Sequence, residues 1–370
     1  MDPTIESPTD RGLAWLGWDA AWADVFAVHA PDGCRPARVA AVHRETSIVR
    51  DGVGDRSATV SGSFRFDARA TADYPTVGDW VALDVDGVIA AVLPRRSAFK
   101  RVTVDGTRRG AGQEEMQVMA SNVDVALLVA GLDNDFNLRR IERYLAVAWS
   151  SDVTPIVVLN KADLAEEIDE RLVAVAAIAP KVAIMAVSAR TGLGLDELRR
   201  HLRPATTTAI LGSSGVGKST LVNVLLGVDR QATAAVRGSD SRGRHTTTHR
   251  ELFELPGGAL LVDTPGIRAL EVLGADHGLE ATFDEVAAIA ASCRFSNCAH
   301  QGEPGCAVRA ALADGRLDDQ RFANYQKLGL ELARPTPVAE PRARAAQRRT
   351  WRLIHTSVSR PAERKDRDER

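Results

Sequence analysis

The chain has 370 residues, 45% hydrophobic and 26% charged, with a formal net charge of −2. That length leaves room for about two to three domains, and near-neutral charge gives no chain-wide attraction to nucleic acid. No apolar stretch approaches the roughly 18 residues a membrane span needs, and the start MDPTIESPTDRG is acidic and polar, so a cytoplasmic protein away from membranes is expected.

Taken from the N-terminus, LAWLGWDAAWADVFAVHA reads as a short amphipathic helix. From about Arg35 to Phe99, ARVAAVHRETSIVRDG, SATVSGSFRFDA and GDWVALDVDGVIAAVLP read as short strands. In the last, Val81, Leu83 and Val85 alternate with other residues and Asp86-Gly87 makes the hairpin turn. Several short strands suggest a small barrel of the oligonucleotide-binding type (OB-fold). TRRGAGQEE is a polar linker.

Beyond it, apolar runs alternate with helices: VDVALLVAGL, a helix over 138–150, PIVVLN, a helix over 165–179, VAIMAVSA, a helix over 194–202, TTTAILG, a helix over 218–226, then LLVDTPG. Such alternation predicts a parallel sheet covered on both faces, with ligands at the carboxyl ends of the strands. Residues 279–332 read as helical around a cysteine cluster, and Pro335, Pro337 and Pro341 end that region. From Arg334 onward, eleven Lys/Arg stand against five Asp/Glu, a run that either grips RNA phosphates or simply stays solvated.

Gly212-Ser213-Ser214-Gly215-Val216-Gly217-Lys218-Ser219 satisfies G-x-x-x-x-G-K-[ST] between an apolar strand and a helix that begins with Lys218, Ser219 and Thr220. Backbone N–H groups of such a loop curl around phosphates, Lys218 neutralises the outer ones, and the Ser219 hydroxyl ligates magnesium. Downstream, Asp263 is placed to hold magnesium through water, and the Gly266 N–H to sense the terminal phosphate. GRHTTTHRE lies between, and one of Thr246, Thr247 and Thr248 would complete the magnesium shell only while that phosphate is present; Thr247 is favoured, and the sequence does not choose.

Asn160-Lys161-Ala162-Asp163 follows the strand PIVVL. A carboxylate at Asp163 can accept from both the ring N–H and the exocyclic amine of guanine, whereas adenine offers neither donor there, so GTP rather than ATP is predicted. Ser188-Ala189 fits a companion loop that touches the guanine oxygen through backbone N–H. The order is base reader, companion loop, phosphate loop, threonine segment and DTPG, a circular permutation of the usual one. All five loops still gather at one edge of the sheet.

This order, with NKAD, GSSGVGKS, GRHTTT and DTPG, resembles the RsgA/YjeQ family of small-subunit-dependent GTPases. The stretches VGDWVALDVDGVIAAVLPRRSAFKR and QVMASNVD and the cysteine cluster extend the resemblance over about residues 35–335. It implies a late maturation factor that binds the small (30S) ribosomal subunit and its 16S ribosomal RNA, with GTP hydrolysis stimulated by the subunit. A monomer that cycles between GTP and GDP is expected. The alternatives are a binding protein latched by GTP with incidental hydrolysis, or a related GTPase acting on another RNA assembly intermediate.

The family carries a C-terminal zinc site, and here Cys293-x4-Cys298-x-His300-x5-Cys306 offers three thiolates and an imidazole, a closed structural set. Cys34 lies far away and reads as a small core residue. In many GTPases a Gln after the DTPG glycine orients the attacking water, but here that position is Ile267. The resemblance and the local sequence point instead to His245, with a ribosomal group as the alternative. Potassium-activated relatives place Asn where this loop has Gly215, which argues against a potassium ligand.

The expected division is an N-terminal extension over 1–34, an OB barrel over 35–104, a circularly permuted α/β P-loop GTPase domain over 105–275, a mostly helical zinc-binding domain over 276–334 and an Arg-rich tail over 335–370.

Overall fold

The structure, a computed structural model, describes residues 12–43, 46–104, 114–133, 135–227, 250–263 and 276–332. His245, Thr246, Thr247, Thr248, Gly266, Ile267 and the Arg-rich tail lie outside the described residues.

The barrel is built from β1 (Arg35–His43), β2 (Thr46–Arg50), β3 (Asp55–Ala58), β4 (Trp80–Leu83) and β5 (Ile89–Val92). β1 pairs antiparallel with β2 and β4, β2 with β3, and β4 with β5. A parallel bridge between Val60 and Ile89 closes the circle, with the Ser61 N–H donating to the Ile89 carbonyl at 2.9 Å. The result is an OB-type barrel. Its interior holds Ala37, Val39, Val49, Ala58, Val81, Leu83 and Ile89.

Two strand expectations need correction. SGSFRFDA is not a strand: Gly62–Asp67 forms helix α2, because the Ser61 hydroxyl accepts from the Phe64 N–H at 3.0 Å and caps it. β4 does not alternate either, since all four of its residues are buried, while Val85 lies beyond its end, 83% exposed. Val81 and Leu83 fill the barrel, and the opposite face is covered because Trp80 meets Trp18 and Trp22 at ring separations of 4.7 and 6.1 Å. Trp22 belongs to α1 (Ala20–His29), the helix expected in the N-terminal extension. Cys34 is half-buried rather than a core residue.

β6 (Ala98–Val104) and β7 (Glu114–Ser121) form an antiparallel hairpin. Glu114 and Glu115, expected in the polar linker, therefore belong to a strand. The main sheet follows with β8 (Val125–Gly131), β9 (Thr154–Asn160), β10 (Ala183–Ala186), β11 (Thr207–Leu211), β12 (Arg250–Glu254) and β13 (Leu260–Asp263). Its order is β10-β9-β8-β11-β13-β12, then β1-β2-β3 of the barrel. β8 to β11 and β13 are mutually parallel, as expected. The sheet is nonetheless mixed: β12, a strand absent from the sequence expectation, runs antiparallel to β13 on one side and to β1 on the other. Barrel and nucleotide domain thus share one continuous sheet.

The crossovers are α3 (Leu138–Ser150), α4 (Ile168–Ile178), α5 (Leu195–His201) and α6 (Lys218–Leu226), all at or within a few residues of the predicted bounds. Asn137 caps α3 by accepting from the Arg140 N–H at 3.1 Å. The C-terminal part is helical: α7 (Asp276–Thr282), α8 (Asp284–Ala290), α9 (Ala307–Ala313) and α10 (Asp319–Leu332). α7 crosses α3 closely at Gly278, where an added Cβ would overlap Ser150 Oγ and come within 2.6 Å of the Ala146 carbonyl. Glu142 of α3, fully buried, accepts from Arg321 of α10 at 2.9 Å and from Arg139 and Asn324, which ties the helical domain to the nucleotide domain.

Arg38 is the corresponding tie on the barrel side. Only 2% exposed, its guanidinium donates to the Gly78 carbonyl at 3.2 Å, the Asn122 carbonyl at 3.0 Å and the Leu16 carbonyl. Those acceptors belong to the barrel, the lead-in to β8 and the N-terminal extension. Burial pulls its pKa down to about 10, so it is charged at neutral pH. Arg38→Met leaves three carbonyls without that donor, and the expected cost is on the order of 3–5 kcal/mol. Urea unfolding should show it as a lower midpoint, and an unchanged midpoint would remove Arg38 from this role.

Candidate functional site

The carboxyl ends of five parallel strands share one edge, so the loops that follow β8, β9, β10 and β11 meet there whatever their order along the chain. After β11, Gly212 enters the phosphate loop at φ 155°, and Gly215 and Gly217 follow at 84° and 91°. Only glycine adopts these angles without strain. Gly217 has a further reason to lack a side chain, since an added Cβ would clash with the Asn160 amide nitrogen. Val216 is fully buried beneath the loop, and Lys218, Ser219 and Thr220 open α6. The Lys218 ammonium donates to the carbonyls of Gly212, at 2.7 Å, and Ser213.

Asn160 is the hub of the base-reading loop. Its side-chain amide donates to the Val216 carbonyl at 2.8 Å, and its side-chain oxygen accepts from the Ala189 N–H at 3.0 Å. One buried Asn therefore links reader, phosphate loop and companion loop. The Ala189 N–H, expected to face the guanine oxygen, is engaged by Asn160 here. Lys161 sits at φ 68° and pairs with Asp133 at 2.5 Å. The Ser188 hydroxyl donates to Asp163 at 2.6 Å, and Arg190 Nε lies 3.4 Å from the other carboxylate oxygen. Asp163 keeps lone pairs to accept two further donors.

Asp263 ends β13, and the pairing of Ala209 with Val262 places it beside the end of β11, next to the phosphate loop. With Ser219 it supplies oxygen chemistry suited to magnesium, which takes few direct protein ligands when phosphates are present.

Two contributors to this edge went unread in the sequence. Asp133 contacts the reader, and Asp135 takes a hydrogen bond from Ser213 of the phosphate loop at 2.7 Å. No motif covers them; their position directly after an apolar strand is the only signal.

The second site lies between α8 and α9. The ligand atoms of Cys293, Cys298, His300 and Cys306 all lie within 4.8 Å of one another. His300 Nδ1 is 3.7 Å from Cys293 Sγ and 3.4 Å from Cys306 Sγ. Zinc bonds of about 2.0–2.3 Å in a tetrahedron give donor separations of roughly 3.5–3.8 Å, so the donor set fits such a metal. Cys306 also caps α9, its sulfur accepting from the Arg309 N–H at 3.4 Å. His300 reaches its place through a left-handed backbone at φ 59°, and the loop around it is held by Glu303, whose carboxylate accepts the N–H groups of Ala299, Gln301 and Gly302 at 2.8, 2.7 and 3.1 Å.

Residues 92–273 match the family model described as RsgA GTPase. The chain is 47% identical over 358 residues to the small ribosomal subunit biogenesis GTPase RsgA of Opitutus terrae, covering 93% of this chain and 96% of that protein. It is 43% identical over 346 residues to the protein of that name from Syntrophotalea carbinolica, covering 92% and 94%. Among solved structures, YjeQ from Thermotoga maritima superposes with a TM-score of 0.59 at 28% identity, covering 82% of this chain and 100% of that one. YloQ, a circularly permuted GTPase, superposes with a TM-score of 0.58 at 24% identity, covering 82% and 98%.

Proposed function

The chain belongs to the RsgA GTPase family and is a GTP-hydrolysing enzyme of small ribosomal subunit biogenesis, and we propose the following roles for its residues in this work. Asp163 reads guanine, with Asn160, Lys161, Ser188 and Ala189 shaping the pocket. Gly212 to Thr220 wrap the phosphates, Lys218 neutralises them, and Ser219, Thr247 and Asp263 hold magnesium, directly or through water. Gly266 senses the terminal phosphate. His245 positions the attacking water, a role that the aliphatic Ile267 cannot fill. Cys293, Cys298, His300 and Cys306 hold one structural zinc ion.

The observation that carries this reading is the Asn160 hub, which fastens reader, companion loop and phosphate loop into one pocket. The enzyme acts as a cytoplasmic monomer late in maturation of the 30S subunit. Its barrel, helical domain and Arg-rich tail contact 16S ribosomal RNA, and the subunit stimulates hydrolysis.

Two measurements test this. The protein should co-sediment with small subunits in the presence of a non-hydrolysable GTP analogue and release with GDP; equal retention in both states would contradict a nucleotide-gated cycle. His245→Ala should lower subunit-stimulated kcat by about 10²-fold with nucleotide affinity unchanged. An unaltered rate would assign the water to a ribosomal group.

A further inference from the structure

β8 lies between β9, which leads into the base reader, and β11, which leads into the phosphate loop. The segment after β8 therefore runs between the two loops. Gly131 ends the strand where an added Cβ would stand 2.5 Å from Asp133 Oδ1, so this glycine makes room for the Asp133 side chain. The Leu132 N–H then donates to the Asn160 carbonyl at 2.7 Å, and Asp133 Oδ2 receives the Lys161 ammonium at 2.5 Å. Asp135 faces the other loop. Its carboxylate receives Arg140 Nη1 at 2.6 Å and the Ser213 hydroxyl at 2.7 Å, while the same Arg140 nitrogen donates to that hydroxyl at 2.7 Å.

We propose that Asp133, Asp135 and Arg140 form a two-point brace: Asp133 positions the base-reading loop through Lys161, and Asp135 with Arg140 positions the phosphate loop through Ser213. The proposal rests on the reading of Asp163 as the guanine receptor and of the loop from Gly212 as the phosphate cradle. Both carboxylates engage protein groups of the loops and act as positioning residues. The need for the second point follows from Lys218. Its ammonium holds the Gly212 and Ser213 carbonyls here, and it is also the group that phosphates attract. Once it turns to them, the Ser213 side chain remains as the loop's anchor.

Both carboxyls are tuned to this work. Burial pushes Asp133 up, but the hydrogen bonds from Lys161 and the Asp135 N–H outweigh it and hold the group below the usual carboxylate range. Asp135 is likewise raised by burial and lowered further by Arg140 and Ser213. Both are thus anionic at neutral pH.

The brace makes a prediction that general destabilisation does not. Dissociation constants of the full-length protein for GDP and for IDP, which lacks the 2-amino group read by Asp163, separate its two points. Asp133→Asn, nearly isosteric, should narrow the preference for GDP over IDP about tenfold. Asp135→Asn and Ser213→Ala should each weaken GDP and IDP alike by about tenfold, and the double variant should be no worse than either single one, because both break the same bond. The brace is overturned if Asp133→Asn weakens both nucleotides equally, or if the Asp135 and Ser213 effects multiply. Asp163→Asn is the separate check: if it leaves the GDP/IDP preference intact, the base reading itself falls and the Asp133 arm with it. If Asp163→Asn removes the preference and Asp133→Asn does not, the brace alone is wrong.

Discussion

Asp163→Ala should collapse the preference for GTP over ATP. The wild-type carboxylate is held in place by Ser188 at 2.6 Å and is only 12% exposed, so it is aimed before nucleotide arrives. Guanine offers it two N–H donors, and adenine offers none at those positions. A site built around a fixed polar group penalises a ligand that leaves the group unpaired, and discrimination of this kind reaches on the order of 10⁴. Alanine removes both the attraction to guanine and the penalty against adenine. Competition of GTP and ATP for the purified protein should therefore move toward parity, and a preference that survives in the variant would place base recognition elsewhere.

Cys306→Ser should empty the metal site and unravel the helices around it. Cys306 is the buried member of the set, its sulfur lies 3.4 Å from His300 Nδ1, and it caps α9. Loss of one thiolate breaks a closed tetrahedral set, and apparent zinc binding in small structural sites contributes on the order of 10 kcal/mol to folding. Metal analysis of wild type should give about one zinc per chain and the variant close to none. Thermal melting should show an early transition in the variant, with the nucleotide domain unfolding later. That domain is also expected to lose its tie at Arg321, whose guanidinium bridges Glu142 and Glu285 across the joint. A variant that retains a full equivalent of zinc would exclude Cys306 as a ligand.

The nucleotide edge was legible in the sequence because its elements announce themselves locally. Continuous apolar strands, Asn137 before α3 and the glycine-flanked run of α6 fix those elements nearly to the residue. The four metal-ligand candidates were legible for the same reason, lying within one short stretch. β12 was not, because Arg-Glu-Leu-Phe-Glu carries little apolar run of its own. Only Leu252 is fully buried, and its outer neighbour β1 lies about two hundred residues away in sequence. The Phe-Arg-Phe alternation of α2 imitates a strand, and the Ser61 cap decides against it. Trp80 shows the limit of period-two reasoning: when an N-terminal helix covers the outside of a barrel strand, both faces become core. Asp133 and Asp135 gain meaning only from the adjacency of β9, β8 and β11, which is a property of the sheet rather than of any window of residues.

GTP hydrolysis at the guanine-nucleotide site of this permuted scaffold should be driven by the small ribosomal subunit. The decisive measurement is steady-state GTP hydrolysis by the purified full-length protein, with and without equimolar small subunits. Turnover should be slow alone, as Ile267 in place of a water-orienting Gln implies, and at least about tenfold faster with subunits. Equal rates under both conditions would mean that the subunit does not drive hydrolysis.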